Sequence, residues 1–215
     1  MKAKTQLVLF VTVLMVLPAM ADAGDWIIRG RLISVSPNDS SSTIGDTGTA
    51  VAVDDDIVPE LDITYMFNQN WGLEVIAATS THSLAGQGGA LGGADIGEVA
   101  ALPPTFSLQY HTGYPEAFDL YFGIGLNYTL FYDYDLSDDL AGLGVSDLDF
   151  DDSIGISGQV GLDISISDHW VINLDAKYIT ISTDVDIELE GGGILDTVSV
   201  DIDPWVWGVG LGYRF

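Results

Sequence analysis

The sequence contains no cysteine, which rules out both a disulfide framework and a thiolate metal site. Positive charge is scarce, since 6 Lys and Arg stand against 32 Asp and Glu. Proteins that bind a nucleic-acid backbone neutralise its phosphates with basic residues, so the composition excludes nucleic acid as a partner. The chain also lacks any run of the roughly 18 consecutive apolar residues that a membrane-spanning helix requires.

The chain is both strongly acidic and rich in hydrophobic residues. The formal net charge is −26, yet 47% of the 215 residues are hydrophobic. A disordered acidic chain has low hydrophobicity, so the acidic and apolar side chains of this protein must be separated in space. The length fits one domain, and all-β barrels of this size are ordinary single domains.

The first residues have the composition of a secretory signal peptide. Lys2 and Lys4 precede an apolar run from Leu7 to Leu17, and small residues follow it. A positive start, a short apolar middle and an A-x-A end are the three parts of such a peptide. Cleavage after Ala21 and cleavage after Ala23 fit equally well. We therefore expect an exported protein with no helical anchor.

Beyond this segment, apolar and polar residues alternate with a period of two, which is typical of half-buried β-strands. The clearest series places apolar side chains at every even position from Phe118 to Leu130, with Gly123, Gly125 and Asn127 among the residues between them. The alternation predicts eight strands, near residues 26–36, 57–67, 71–80, 102–110, 118–132, 152–166, 170–189 and 197–215.

The connections between these strands alternate in length. Those at 68–70, 111–117 and 167–169 are short, whereas those at 37–56, 81–101 and 133–151 are long and rich in Gly, Ser or Asp. An even number of strands with short turns at one end and long loops at the other is typical of an outer-membrane barrel. We therefore predict an all-β protein, an eight-stranded antiparallel up-and-down transmembrane β-barrel with short periplasmic turns and long extracellular loops. Residues 1–21 would be its signal peptide and 22–215 the barrel, located in the outer membrane of a Gram-negative bacterium.

A soluble eight-stranded barrel of the lipocalin type would turn its apolar face inward instead. Aromatic residues near the strand ends favour the membrane form, because a bilayer barrel carries aromatic girdles at both interfaces. The chain also stops on the aromatic phase of its last strand, at Tyr213 and Phe215. A terminal strand that ends in Phe is the signal by which the barrel-assembly machinery recognises outer-membrane barrels, so we assign this role to these two residues.

Several segments resemble the OmpW family of outer-membrane proteins. They are Trp26–Gly30, Leu102–Thr105, Gln109–His111, Gly123–Thr129, Asp203–Trp205 and Gly210–Phe215. The resemblance covers the mature chain and is most specific in the fourth, fifth and eighth predicted strands. It implies an eight-stranded barrel whose hydrophobic channel takes up small apolar compounds, whereas the long acidic loops depart from the family.

The outer strand ends have two interpretations, an apolar pocket at the extracellular end or a packed core. Beyond Tyr178 the phase of strand 7 inverts, so that polar residues face outward and aliphatic residues inward. The outer ends of strands 1 and 8 show the same inversion. An apolar cavity suits an apolar ligand, and its predicted lining is Ile33, Val35, Ile179, Ile181, Val185, Ile187, Val198, Val200 and Ile202. The residues alone favour packing of these aliphatic side chains on one another, as side chains often fill a small barrel, whereas the resemblance to the OmpW family favours the pocket. Inward-phase Asp133, Asp135 and Asp151 would make the lining uneven unless a bulge intervenes.

Deeper in the barrel the inward phase is charged. All four basic residues of the mature chain lie on it, and charges in a narrow lumen must be paired. We predict a salt-bridged floor made by Arg29, Arg31, Asp62, Glu74, Asp119, Asp163, Asp175, Lys177 and Arg214. Such a floor would stop an apolar ligand from passing straight into the periplasm. A sideways exit into the membrane is then favoured, near the prolines at the outer strand ends (Pro37, Pro59, Pro103, Pro104 and Pro204).

Other chemistry is sparse. The acidic stretch 133–139 lacks the Gly and Glu of a calcium loop, so we expect a solvated surface, or loose divalent-ion bridging to lipopolysaccharide, and no metal or cofactor. His82, in a predicted loop, with Ser80 is the one candidate nucleophile–base pair, and we expect no enzyme. The expected partners are outer-membrane lipid and lipopolysaccharide, small hydrophobic ligands and the assembly machinery. The alternative functions are a structural or adhesive barrel with a closed lumen, or a lipid-modifying enzyme.

Overall fold

A computed structural model describes residues 24–113 and 117–215, and the predicted signal peptide lies outside them. No helix in this part of the chain is long and apolar enough to cross a membrane. A 3₁₀ turn spans Gly45–Thr47 and helix α1 spans Asp138–Ala141. The strands are β1 (Trp26–Ser36), β2 (Ser40–Ser41), β3 (Ala50–Val53), β4 (Asp56–Met66), β5 (Trp71–Ala78), β6 (Ser80–Gln87), β7 (Asp95–Leu102), β8 (Thr105–His111), β9 (Phe118–Leu136), β10 (Val145–Phe150), β11 (Ser153–Ser165), β12 (Trp170–Ile179), β13 (Ser182–Leu189), β14 (Ile194–Asp201) and β15 (Trp205–Arg214).

Eight of these strands close into an antiparallel barrel. Their order around the wall is β1-β4-β5-β8-β9-β11-β12-β15, and β15 pairs with β1 to complete the circle. Closure removes the exposed edges of an open sheet. The backbone N–H and C=O groups of the wall can then form hydrogen bonds with a neighbouring strand, which lipid cannot provide. The predicted fold is therefore confirmed. Short turns mark the periplasmic end of such a barrel and long connections the extracellular end.

The three long connections were predicted as loops, but parts of them form β-strands. Residues 80–102 form the hairpin of β6 and β7, which joins β3 and the outer half of β9. On the opposite side, β10, β13, β14 and β2 form a second sheet of four strands. Strand β6 alternates between buried and more exposed residues in the same way as the wall strands, so the abundance of small residues in 81–101 concealed a strand pattern. Together the two sheets extend the barrel beyond the membrane.

The longest predicted strands are interrupted where the wall meets this extension. The predicted strand 170–189 divides into β12 and β13, and 197–215 divides into β14 and β15. At the second break Asp203 has a φ of 38° and is followed by Pro204, which has no N–H to donate to a ladder. A side-chain oxygen of Asp203 accepts a hydrogen bond from the Ile181 backbone N–H at 2.9 Å, so the ladder is replaced locally by a side-chain contact.

A bulge in β9 settles the question of the inward acidic residues. Asp133 has a φ of 53°, and the β7–β9 register shifts next to it. The extra residue reverses the phase of the strand, so Asp133 and Asp135 are exposed while Tyr134 and Leu136 pack against the apolar core. Asp151 is exposed as well. None of these three acidic residues points into the cavity.

The outward face of the barrel is apolar and carries aromatic residues at both ends. At the periplasmic end Trp26 lies 4.9 Å from Tyr65, and Trp71 lies 5.1 Å from Tyr110, between ring centroids. At the extracellular end the rings of Tyr178 and Trp205 are 5.2 Å apart. Leu, Ile, Val and Phe side chains between these levels are exposed. This is the apolar band with two aromatic girdles of an outer-membrane barrel.

Deleting Phe215 should lower the amount of folded barrel in the outer membrane several-fold. The residue closes the ladder, since its backbone N–H donates to the Trp26 carbonyl at 2.9 Å, and its ring contacts that of Tyr213. Heat-modifiable mobility of outer-membrane fractions measures the folded amount. Phe118→Ala is the matched control, because Phe118 exposes a similar fraction of its surface, 67% against 63%. Equal assembly of the deletion and the control would refute the assigned role.

Candidate functional site

The inward side chains of the barrel wall form a network of ion pairs. Arg29 on β1 is completely buried, and its guanidinium contacts Asp62 at 2.9 Å and Asp163 at 2.6 Å. It also donates to Thr64 at 2.9 Å and lies 5.4 Å from the ring centroid of Tyr121. The three donors of one guanidinium thus connect strands on opposite sides of the barrel. A planar fork of five N–H groups is suited to such multiple contacts.

Arg31, one inward position further along β1, forms the centre of the next layer. Its guanidinium lies 2.6 Å from Glu60, 2.8 Å from Asp62 and 3.1 Å from Glu74. Asp175 is further away, at 3.6 Å. Three carboxylates within close contact of one cation make this the most heavily paired charge in the described chain.

The remaining members extend the network in both directions. Towards the extracellular side the Lys177 ammonium lies 3.2 Å from Asp175. Towards the periplasm Asp119 lies 2.6 Å from His111 Nδ1, and Arg214 donates to Ser165 at 2.9 Å. All nine charged residues assigned to the floor from sequence are buried in the lumen. The structure therefore brings them together, as strand phase requires.

Above the network the barrel encloses an apolar cavity of about 80 Å³. All nine residues predicted as its lining face this cavity, supplied by β1, β12, β13, β14 and the segments that join them. The opposite wall, which sequence analysis did not assign, consists of aliphatic residues from β3, β6, β7 and β10, among them Val53, Leu84, Val99 and Leu148. The aliphatic residues also pack on one another in two clusters, so the free space is narrow. Glu60 and Lys177 form the boundary with the charged network.

The wall beside the cavity has a discontinuity between β5–β6 and β7–β8. The β5–β8 ladder ends at the pair Ile76–Thr105, and the β6–β7 ladder begins at Ser80–Ala101. Pro103 and Pro104 lie between them and cannot donate a ladder hydrogen bond. Ala78 and Pro103 line the cavity at this point, and the side chains of Thr79 and Tyr132 are hydrogen-bonded across its outer side.

A second gap in the ladders of the wall lies between the two extracellular sheets, where β9 meets β10. The rings of Phe131 and Phe150 are 5.7 Å apart, and those of Tyr134 and Phe150 are 5.6 Å apart. Burial, together with the carboxylate of Asp149, raises the pKa of Tyr134, so its hydroxyl stays neutral at ordinary pH. Aromatic side chains fill this gap between β9 and β10.

The comparisons with known proteins match this architecture. The model of the OmpW family matches residues 22–215. The chain belongs to the OmpW family. It is 40% identical to outer membrane protein W of Vibrio cholerae over 195 residues, which is 89% of each chain. The crystal structure of the outer membrane protein OprG from Pseudomonas aeruginosa superposes with a TM-score of 0.83 at 37% identity, covering 90% of this chain and 96% of that one.

A further structural relative was determined in lipid. Outer membrane protein AlkL in DMPC bilayers has a TM-score of 0.68 and 25% identity, covering 93% of this chain and 94% of that one. The family match and these barrels place the protein in the outer membrane of a Gram-negative bacterium. Membership of the OmpW family, expected from six segments of sequence, is confirmed.

Several residues of this OmpW-family lumen were missed from sequence. Glu60 is buried and pairs with Arg31, and its position two residues before Asp62 was a usable signal. His111 was placed in a turn, but β8 continues through it and its ring lies in the lumen. Tyr121 is completely buried and donates to Asp175 at 2.9 Å. It faces inward between outward apolar neighbours, so strand phase could have identified it.

His82 was also misplaced. It lies on β6 with Ser80, not in a loop, and both side chains face the cavity. The structure brings them together, since His82 Nε2 lies 2.9 Å from Ser80 Oγ. The other ring nitrogen faces the Asp54 backbone carbonyl at 2.8 Å, where a catalytic triad would have a carboxylate.

Proposed function

We propose that the protein is an outer-membrane channel for the uptake or diffusion of small hydrophobic molecules. The observation that carries this proposal is the sharp change from an aliphatic cavity to a charged network along a single barrel. An apolar molecule gains by leaving water for the cavity. It cannot proceed past Arg31 and its three carboxylates without disrupting buried ion pairs, which is costly.

A blocked floor requires another exit, and the discontinuity at Pro103 and Pro104 is suited to it. Ala77, Ala78 and Thr79 face the prolines between two ladders, so fewer backbone hydrogen bonds must break there than elsewhere in the wall. Its outer side faces the lipid of the barrel exterior, next to exposed Tyr132. We infer that a ligand enters from outside, occupies the cavity and leaves sideways into the membrane. Membership of the OmpW family, whose resemblance implied the uptake of small apolar compounds, supports the channel, and no catalytic step is part of the route.

Ile181→Asp should weaken binding and uptake of an apolar probe by more than roughly ten-fold, because it places an unpaired charge in apolar surroundings. Ile181 is buried in the cavity wall, whereas the adjacent Ser182 is exposed. Ser182→Asp is therefore the matched control and should bind as the parent does. Fluorescence titration of 1-N-phenylnaphthylamine against folded, inserted variants measures the effect.

The two variants differ by one position on the same segment, so they test strand phase and function together. Folding of each variant is established first by heat-modifiable mobility. Equal binding by folded Ile181→Asp and Ser182→Asp would contradict the proposal. The aliphatic residues would then be the packing core of the extracellular sheets, as in a structural barrel with a closed lumen.

A further inference from the structure

One polar pair faces the cavity next to the discontinuity in its wall. Ser80 and His82 occupy consecutive inward positions of β6, with 7% and 6% of their surface exposed. Ser80 is the first residue of β6, immediately after the stretch Ala77–Thr79, and pairs with Ala101. A buried hydroxyl beside a buried imidazole stands out in a mostly aliphatic wall, because burying polar groups is costly unless they are hydrogen-bonded.

The hydrogen bonds of this pair fix the direction in which each group donates. A backbone carbonyl can only accept, so His82 Nδ1, 2.8 Å from the Asp54 oxygen, carries the ring proton. In the tautomer with its proton on Nδ1, Nε2 bears no proton and accepts from the Ser80 hydroxyl at 2.9 Å. The Ser80 proton is then engaged. The Ser80 oxygen retains lone pairs, and no donor within residues 24–113 and 117–215 is hydrogen-bonded to it.

We propose that the cavity selects apolar ligands that carry one hydrogen-bond donor, such as alcohols and phenols, and that Ser80 accepts this donor. The proposal rests on the proposed function and names its ligand class. A ligand hydroxyl would complete a chain running from ligand to Ser80, to His82 and to the Asp54 carbonyl. Every member of that chain donates in the same direction, and hydrogen bonds in such a chain polarise and strengthen one another.

The threonine hydroxyls of the cavity are arranged differently. Thr105 donates to the Pro103 carbonyl at 3.1 Å, and Thr183 donates to the Asp151 carbonyl at 2.6 Å. Thr129 donates to the Asn127 side chain at 2.7 Å, whose amide donates in turn to Thr105 at 3.0 Å. Thr105, Thr129 and Thr183 are 1%, 0% and 4% exposed, whereas Ser80 is 7% exposed, so Ser80 is the hydroxyl most open to the cavity. The position of Ser80 beside Thr79 also places a bound head group at the proposed exit.

The test compares two ligands of equal shape in lipid bicelles. 4-Fluorophenol carries the donor, 4-fluorotoluene has a methyl group in its place, and ¹⁹F NMR titration gives both affinities after subtraction of protein-free bicelles. After the lipid background is subtracted for both compounds, the parent should bind 4-fluorophenol roughly two- to ten-fold more tightly than 4-fluorotoluene. This ratio corresponds to the net free energy of one hydrogen bond. Ser80→Ala should abolish this preference, because the variant has no hydroxyl to accept from 4-fluorophenol.

The matched control is Ser83→Ala, on the same strand but exposed, which should keep the parent's preference. His82→Phe retains a ring of similar size and should reduce the preference by removing the relay. If the parent binds both compounds equally, or Ser80→Ala keeps the preference, the inference is wrong while the channel proposal stands. If the parent binds neither compound above the lipid background, the proposed function fails and the inference fails with it.

Discussion

Replacing Arg31 with methionine should reduce the free energy of unfolding of the barrel by about 3–5 kcal/mol, the range for removing one partner of a buried ion pair. Arg31 is 3% exposed and lies within 3.1 Å of Glu60, Asp62 and Glu74. The variant leaves three carboxylates facing one another without that cation. Methionine has a similar reach, so the loss of packing is small. Urea unfolding in detergent micelles, followed by tryptophan fluorescence, measures the difference.

The role of charge is separated from that of size by a double-mutant cycle. Glu60→Gln removes one of the uncompensated carboxylates, so Arg31→Met should be less destabilising in that background than alone. Single alanine variants of Arg29, Lys177 and Arg214 extend the test along the lumen. Parental stability in all four single variants would contradict a salt-bridged floor. Residues in one network couple strongly, so an additive cycle would also argue against it.

The barrel and its inward face follow from the period-two pattern because a transmembrane strand has two different solvents on its two sides. Lipid tolerates only apolar side chains on one face, so Ile154, Ile156 and Leu126 are exposed, while Asp163 and Asp175 are buried. Phase alone therefore assigns a side chain to lumen or lipid. It places Arg29 and Asp62 in the lumen, although only the register shows that they are directly paired.

Strand phase is less informative outside the membrane, where both faces can meet water. Residues 80–102 resemble a loop in composition, rich in Gly, Ser and Ala, yet they form a hairpin. The bulge at Asp133 and the break at Asp203 both depend on non-glycine residues with positive φ. Such conformations are uncommon and are decided by tertiary contacts. The contact between His82 and Ser80 depends on the same hairpin, so sequence analysis missed its geometry.

The closing strand β15 shows how the lumen side chains of neighbouring strands depend on each other in size. On β15 the outward series is aromatic and aliphatic, and the inward series contains Gly208, Gly210 and Gly212. A methyl group at Gly210 would lie 2.7 Å from Arg31 Cγ, and one at Gly212 would lie 2.9 Å from Arg29 Cγ. The inward glycines therefore provide the volume that the two buried arginines occupy. Large lumen side chains of one strand require small residues on its neighbour.

The same complementarity on β11 gives the second large effect. A methyl group at Gly161 would overlap the ring of Tyr121, which is completely buried. That ring cannot easily move, because its hydroxyl donates to Asp175 at 2.9 Å and accepts from Asn173 at 3.0 Å. The His111 ring lies 5.1 Å from it on another side. Overpacking of such a site costs typically about 1–3 kcal/mol and sometimes more.

Gly161→Ala should therefore lower the free energy of unfolding by about 3 kcal/mol, the upper part of the range for overpacking. Gly158→Ala is the matched control on the same strand. It faces lipid, and a methyl group there meets nothing within 4 Å, so it should be neutral or slightly stabilising. Urea unfolding of both variants gives the comparison. In a Tyr121→Ala background Gly161→Ala should cost much less, because the ring that it strikes is absent. If Gly161→Ala lowered the free energy of unfolding equally with and without the Tyr121 ring, the clash would lie elsewhere. Gly161 would then be no evidence that inward glycines provide space for the charged network.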